Sequence, residues 1–229
     1  MIHHIVWKGK KKLHARNETI ISKYHEAFGM NSVPADKQYW TLCGLLTDGK
    51  GGKNKNNEYY HVTKKNEITG VPFITPQQFH GVEREEPIYR QNKEAFPELR
   101  IFHGDIFTVM NNFAANPRNI YAPGFVNLDL ISMVDRSADY LPKLLEFVGG
   151  YDGPIMFVCN VVMKTFYNTP ENGVGTDDQN RFIKRLNKSP IYRKLMNEVW
   201  QRDPNCYIYH GNDDESFTTM GSYIFYKKA

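Results

Sequence analysis

Three apolar runs in the middle of the chain share one pattern, in which a short strand-like segment ends in an acidic residue. The runs are residues 79–83, 99–105 and 125–129, and they end at Glu83, Asp105 and Asp129. The intervals between these acids, 22 and 24 residues, leave room for one helix and two short loops. This spacing predicts successive βαβ units. The acids would then lie along the carboxyl edge of a parallel sheet, where open α/β folds bind their ligands.

The flanking sequence extends this alternation in both directions. An apolar face predicts a helix that is capped by Asn17 and ends before Gly29. Further strands are predicted at 39–44, 154–162, 206–210 and 221–226. The strand at 39–44 is strand one, the three runs above are strands two to four, and the strand at 154–162 is strand five. Further helices are predicted at about 57–67, 87–96, 107–115, 141–148, 178–187 and 190–200. The last two strands have no helix between them, so we expect them to be antiparallel if they are neighbours.

Composition is typical of a globular protein of one elaborated α/β domain. The chain has 229 residues, of which 41% are hydrophobic and 14% aromatic. No apolar stretch approaches the roughly 20 residues that cross a bilayer, and the first twelve residues carry charge where a signal peptide would be apolar. We therefore expect a cytoplasmic protein without a membrane partner. The cysteines and histidines lack the spacing of metal ligands, so we predict no structural metal.

The net charge of +4 is unevenly distributed along the chain. Residues 1–70 contain 12 lysines and arginines against 6 acids, whereas residues 71–229 contain 17 against 19. This asymmetry predicts a phosphate-contacting face near the amino end, and hence a nucleic-acid partner. Aromatic residues in the same region could stack bases, namely Trp7, Tyr39, Trp40, Tyr59 and Tyr60. The alternative is a solvated tail with a lysine-rich loop.

The acid after the second predicted strand, Glu83, suits the ribose diol of either a dinucleotide or S-adenosylmethionine. A dehydrogenase should carry Gly-x-Gly-x-x-Gly after strand one and usually a second catalytic domain, and the sequence has neither.

Five βα units closed by an antiparallel strand pair resemble the class I S-adenosylmethionine-dependent methyltransferases, over residues 38–228. The resemblance implies a Rossmann-like three-layer α/β sandwich with a mostly parallel seven-stranded sheet and a C-terminal antiparallel strand pair. Residues 1–37 would form a basic extension and helix, and residues 38–229 the methyltransferase-like domain.

The resemblance also implies which residues form the site. The turn after strand one, Cys43-Gly44, takes the place that approaches the methionine part of the cofactor. Glu83 takes the place of the ribose ligand, Asp105-Ile106 that of the residues near the adenine, and Asn127-Leu128-Asp129 that of the segment facing the reacting centre. The chain departs from the family at strand one, where residues 41–46 lack an acid followed by closely spaced glycines.

The residues after strands four and five bear on the methyl acceptor. The segment 127–130 lacks the two prolines and the aromatic of enzymes that methylate amino groups of bases, and no Pro-Cys nucleophile is present. Asp129 with Lys164 is instead similar to the Lys-Asp-Lys-Glu set of ribose 2′-O-methyltransferases, with Lys37 or Lys23 and Glu215 completing it. We therefore predict a methyltransferase that acts on DNA or RNA by direct transfer, with Asp129 and Lys164 catalytic. The alternative is a non-catalytic Rossmann-like binding or scaffold module that has lost its cofactor.

Overall fold

A computed structural model describes residues 3–7, 12–42, 46–47, 53, 58–66, 69–114, 122–163, 176–210 and 219–227. Its strands are β1 (His3–Trp7), β2 (Gln38–Leu42), β3 (Phe79–Glu83), β4 (Arg100–His103), β5 (Pro123–Met133), β6 (Met156–Met163), β7 (Trp200–His210) and β8 (Thr219–Lys227). Its helices are α1 (Lys12–Phe28), α2 (Glu58–Thr63), α3 (Glu86–Ala95), α4 (Ile106–Ala114), α5 (Val134–Gly149), α6 (Thr176–Leu186) and α7 (Pro190–Glu198). The chain divides into two compact units, Asn17–Asn127 and a unit formed by Met1–Arg16 with Leu128–Ala229.

The strands form one eight-stranded sheet in the order β1-β7-β8-β6-β5-β2-β3-β4. Strand β2 pairs in parallel with β3 and with β5, and β3 pairs in parallel with β4. Strand β8 pairs antiparallel with both β6 and β7. The mostly parallel sheet with its antiparallel C-terminal pair confirms the predicted Rossmann-like α/β fold. The strand order reverses at β2, so the carboxyl ends of β2 and β5 mark a topological switch point.

The amino end differs from its prediction in two respects. Strand β1, which lies within the predicted extension 1–37, pairs in parallel with β7 from His3↔Asn205 to Trp7↔Tyr209 and is the eighth strand of the sheet. Its Ile-Val-Trp run has high β-propensity, although it is short and charged residues follow it. Helix α1 begins at Lys12 rather than at Asn17, because the residues before Asn17 include good helix formers such as Leu13 and Ala15.

The unit Asn17–Asn127 has an aromatic core between its helices and the parallel strands. The ring of Tyr39 on β2 stacks on that of Phe125 on β5, with ring centroids 4.9 Å apart. Tyr24 of α1 packs edge-on against Phe73 at 5.1 Å. Helix α1 ends as the sequence predicted, because Gly29 takes a positive φ of 67° and its N–H donates to the carbonyl of His25 at 2.7 Å.

The unit that contains Leu128–Ala229 is built around β6, whose residues 156–161 are almost completely buried. The helix predicted at 141–148 lies within α5, where Leu141, Leu144, Leu145 and Val148 are all buried. The indole N–H of Trp200 donates to the carbonyl of Leu145 at 3.0 Å. Helix α7 begins where the sequence predicted, since the hydroxyl of Ser189 accepts the backbone N–H of Tyr192.

Candidate functional site

Glu83 is the last residue of β3 and lies at the carboxyl edge of the sheet with only 8% of its surface exposed. Its Oε1 accepts the backbone N–H of Glu85 at 2.8 Å, which shapes the turn into α3. Within the described part of the chain, Oε2 has no hydrogen-bond partner. Glu83 therefore has one carboxylate oxygen held by the fold and a second that can accept hydrogen bonds from the hydroxyls of a ligand.

The turn after β3 is braced from β4 by His103, which lies opposite Glu83 in the register of the two strands. Its Nδ1 is 3.0 Å from a carboxylate oxygen of Glu86, and its Nε2 is 3.1 Å from the carbonyl oxygen of Arg84. The ring of Tyr89 stacks on the imidazole, with centroids 5.1 Å apart. These contacts fix the conformation of the backbone next to Glu83.

Asp105 and Ile106 follow β4 and begin α4. Asp105 is exposed, and its Oδ1 accepts the backbone N–H of Phe107 at 2.9 Å, so this carboxylate caps the helix. Ile106 is buried, with 6% of its surface exposed. Both residues therefore have clear structural roles, and their predicted place near the adenine of a cofactor remains a prediction.

Asn127, predicted as a cofactor residue, belongs to a cluster of polar side chains centred on Glu58. The Glu58 carboxylate accepts hydrogen bonds from the amide of Asn127 and the hydroxyl of Tyr39 through Oε1, and from the hydroxyl of Thr41 through Oε2 at 2.7 Å. Thr41 and Asn127 face each other in the β2–β5 register. Glu58, the first residue of α2, thus places a carboxylate at the carboxyl end of β2, beside Asn127 on the neighbouring strand β5.

Glu58 is the site residue that the sequence did not reveal. The family resemblance favours an acid on strand one itself, whereas here the acid comes from the start of the next helix, 16 residues after the end of β2. The available signal was a glutamate in the first turn of a predicted helix. Such residues are common because they interact favourably with the helix dipole, so this signal does not point to a site.

Asp129 lies in the other unit and is partly exposed. Burial raises the pKa of the neighbouring Cys159 thiol, and the charge of Asp129 raises it further. The adjacent buried side chain of Asn160 accepts the hydroxyl of Ser222 at 2.5 Å and donates to the carbonyl of Leu128 at 3.4 Å. Asp129 therefore lies on a strand segment that is held by buried polar contacts, and its own Oδ1 is buried.

Several predicted site residues lie outside the described residues, namely Cys43, Gly44, Lys164 and Glu215, as do Lys10 and Lys11 of the predicted basic extension 1–37. Of the two lysines suggested for the tetrad, Lys23 forms an ion pair with Glu26 at 2.8 Å on α1. Lys37 immediately precedes β2 and therefore lies at the amino end of that strand. Neither position places a lysine at the carboxyl edge of the parallel strands.

The aromatic residues suggested for base stacking are mostly part of the core. Tyr39, Trp40 and Tyr59 are buried, and their rings pack against other core side chains. Their faces are therefore not presented to a nucleic acid, whereas Tyr60 is partly exposed. In the ranges that the structure describes, no three metal-ligating side chains cluster, and no helix is long and apolar enough to cross a membrane.

Comparisons with known proteins find no matching family model and no matching curated protein sequence. One solved structure with a similar fold is MtNAS in complex with MTA and tNA, which has 11% sequence identity and a TM-score of 0.38 over 96% of this chain and 63% of that chain. A second is the amino pentose methyltransferase CalS10 from Micromonospora echinaspora bound to SAM, with 8% identity and a TM-score of 0.41 over 94% of this chain and 91% of that chain. A third is a putative Zn-dependent alcohol dehydrogenase from Rhodobacter sphaeroides, with 11% identity and a TM-score of 0.44 over 90% of each chain. The chain thus spans less than two thirds of MtNAS. Similarities this distant assign neither an activity nor a substrate to the chain.

Proposed function

We propose that this protein is an S-adenosylmethionine-dependent methyltransferase that acts on nucleic acid by direct methyl transfer. The observation that carries the proposal is the carboxylate of Glu83, which combines an oxygen fixed by the turn with an oxygen that has no partner in the described residues. This carboxylate lies at the carboxyl edge of a parallel sheet, where α/β folds bind ligands with ribose groups. The missing Gly-x-Gly-x-x-Gly motif argues against a dinucleotide.

The described residues fit S-adenosylmethionine at two places. Glu83 would accept the ribose hydroxyls, and the Glu58 cluster would hold Asn127 in a fixed orientation beside the switch point. Bound S-adenosylmethionine supplies an electrophilic methyl group. Asp129 would orient the acceptor or take its proton, which is the role of a general base, and Lys164 would assist this step.

Nucleic acid is proposed as the acceptor because of the charge of the amino-terminal third. Residues 1–70 carry 12 basic against 6 acidic residues, and a cationic segment gains affinity for phosphates through counterion release. Replacing Lys10, Lys11 and Lys12 with serine should reduce the salt slope of nucleic-acid binding by up to about 3 units. An unchanged slope would exclude this segment as the phosphate-contacting face.

The cofactor assignment is tested by Glu83→Ala in a calorimetric titration with S-adenosylhomocysteine. Loss of charge-assisted hydrogen bonds to a ribose should weaken binding by about tenfold to hundredfold. Glu94→Ala is the matched control, because Glu94 is an exposed glutamate on the adjacent helix α3. Equal affinity in the two variants would remove Glu83 from the site.

The catalytic assignment is tested by Asp129→Asn in a transfer assay with tritiated methyl donor against DNA, RNA and total protein. The amide keeps the shape of the side chain but cannot take a proton, so transfer should fall by roughly a hundredfold or more at unchanged cofactor affinity. Full activity would place the chemistry on another residue. Cofactor binding without transfer to any acceptor in the wild type would instead favour the non-catalytic alternative.

A further inference from the structure

Helix α6 and the first half of α7 carry a run of cations that no acid interrupts. Residues 179–197 contain six lysines and arginines and no aspartate or glutamate. These six cations are all exposed, and they are Arg181, Lys184, Arg185, Lys188, Arg193 and Lys194. Residues 1–70 have the same excess of cations over acids, but they spread it over a much longer segment. Positive charge is therefore far denser along 179–197 than in the amino-terminal third.

Four of these cations form a stripe along one face of α6, namely Arg181, Lys184, Arg185 and Lys188. Their positions, i, i+3, i+4 and i+7, lie on the same side of a helix. The N–H groups of Asn187 and Lys188 donate to the carbonyls of Ile183 at 2.9 Å and Arg185 at 3.1 Å. The helical path therefore continues beyond the end of α6 and includes Lys188 in the stripe.

The opposite face of α6 is fixed in the core of its unit. Phe182 and Leu186 are completely buried, and the ring of Phe182 packs against that of Tyr223 with centroids 4.7 Å apart. A helix that binds a membrane surface inserts its apolar face into the lipid. Because the apolar face of α6 is already covered by the protein, only the cations are presented to a partner.

The chain neutralises only part of this charge. Arg185 forms an ion pair with Asp139 of α5 at 2.8 Å, and Lys194 lies 4.0 Å from Glu198. Three of the other cations form no ion pair with any carboxylate of the described ranges, namely Lys184, Lys188 and Arg193. The pairs Arg181–Arg185 and Lys184–Lys188 have like charges at i and i+4, which destabilises a helix. The stability of α6 therefore does not explain the stripe.

We propose that this cationic surface of α6 and α7 binds the phosphate backbone of a nucleic acid. The inference rests on the nucleic-acid part of the proposed function and adds a location for the phosphate contacts. Residues 181 and 188 are about 10 Å apart along the helix axis, at 1.5 Å per residue. The four cations of the stripe are thus spaced by about 3.5 Å on average, close to the roughly 3.4 Å between charges along one strand of a duplex. The surface includes none of the residues assigned to cofactor or acceptor.

The test is a fluorescence anisotropy titration of the full chain with a labelled RNA single strand of mixed sequence and with the matching DNA duplex, over a range of potassium chloride concentrations. The double variant Lys184→Gln with Lys188→Gln should lower the salt slope of binding by about 1.5–2 units, because it removes two phosphate contacts. Both side chains are exposed, so the core is not disturbed. Lys184→Arg with Lys188→Arg keeps both charges and should retain the slope of the wild type.

The matched control is Arg90→Gln with Arg100→Gln, which removes two exposed cations from the other unit and should leave the slope unchanged. Arg193→Gln tests α7 separately and should lower the slope by about 0.7–0.9 units.

Equal slopes in the wild type and the two glutamine variants of α6 and α7 would overturn this inference and leave the proposed nucleic-acid acceptor standing. Binding to phosphatidylserine vesicles but to neither nucleic acid would overturn both. The assay contains no cofactor, so a failed cofactor titration would contradict the proposed methyltransferase activity alone.

Discussion

Replacing Glu58 with alanine tests the polar cluster at the switch point between β2 and β5. The Glu58 carboxylate accepts hydrogen bonds from Tyr39, Thr41 and Asn127, and each of these donors has no more than 5% of its surface exposed. The alanine variant removes this acceptor from three buried donors, and each lost hydrogen bond should lower the free energy of unfolding by about 1–3 kcal/mol. Glu58 itself is partly exposed, so water can replace part of the lost bonding. We expect a total loss of about 3–5 kcal/mol.

The measurement is urea unfolding followed by circular dichroism. Glu58→Gln should cost less than Glu58→Ala, about 1–2 kcal/mol, because the amide keeps one oxygen that can accept hydrogen bonds. The control is Glu26→Ala, which breaks an exposed ion pair with Lys23 on α1 and should cost less than about 1 kcal/mol. If Glu58→Ala costs no more than Glu26→Ala, the three hydrogen bonds do not stabilise the unit as argued.

Three further predictions concern buried positions. Burial lowers the pKa of His80 to about 4, so the fold keeps its full stability above roughly pH 6.5 and loses about 3 kcal/mol of unfolding free energy as the pH falls towards 4. The urea midpoint of His80→Gln should lack this pH dependence, and a parallel decline of the midpoints of the wild type and the variant would contradict it. Gly124→Ala would place a Cβ 2.7 Å from a methyl carbon of Val33, which should cost about 1–3 kcal/mol in thermal unfolding, whereas an unchanged Tm would mean that the strand can shift. Ser222→Ala removes the hydroxyl that donates to Asn160 at 2.5 Å and should cost about 1–2 kcal/mol, and a neutral effect would show that water replaces it.

The parallel strands and their acids could be predicted because each signal is local. The run 79–83 is apolar, ends in an acid and is followed by a proline near the start of the next helix, and β3 and α3 follow this pattern. Helix α7 likewise begins at a proline, Pro190, that follows the N-cap serine Ser189. In these segments the structure is set by burial on both faces of the strand or by capping of the helix, and both can be recognised from residues that are close in the sequence.

The remaining features depend on contacts between distant residues. Strand β1 is a five-residue strand whose partner on β7 lies about 200 residues later, so its own pattern could not distinguish a strand from a charged tail. Glu58 reaches Asn127 across 69 positions, and no spacing within α2 reveals that contact. Tyr39 and Trp40 could serve equally as stacking residues or as core, and only the packing of Phe125 and Phe102 against them decides for the core.

The most direct test of the proposed cofactor is a calorimetric titration of the wild-type chain with S-adenosylmethionine, S-adenosylhomocysteine and NAD. The three ligands share an adenosine, and they differ in what the residues around Glu83 and the switch point must accommodate. We predict saturable one-to-one binding of S-adenosylmethionine and S-adenosylhomocysteine, and no saturable heat with NAD, because the sequence lacks the Gly-x-Gly-x-x-Gly motif that binds a pyrophosphate. Binding of NAD with no heat from either sulfur compound would contradict the proposed function.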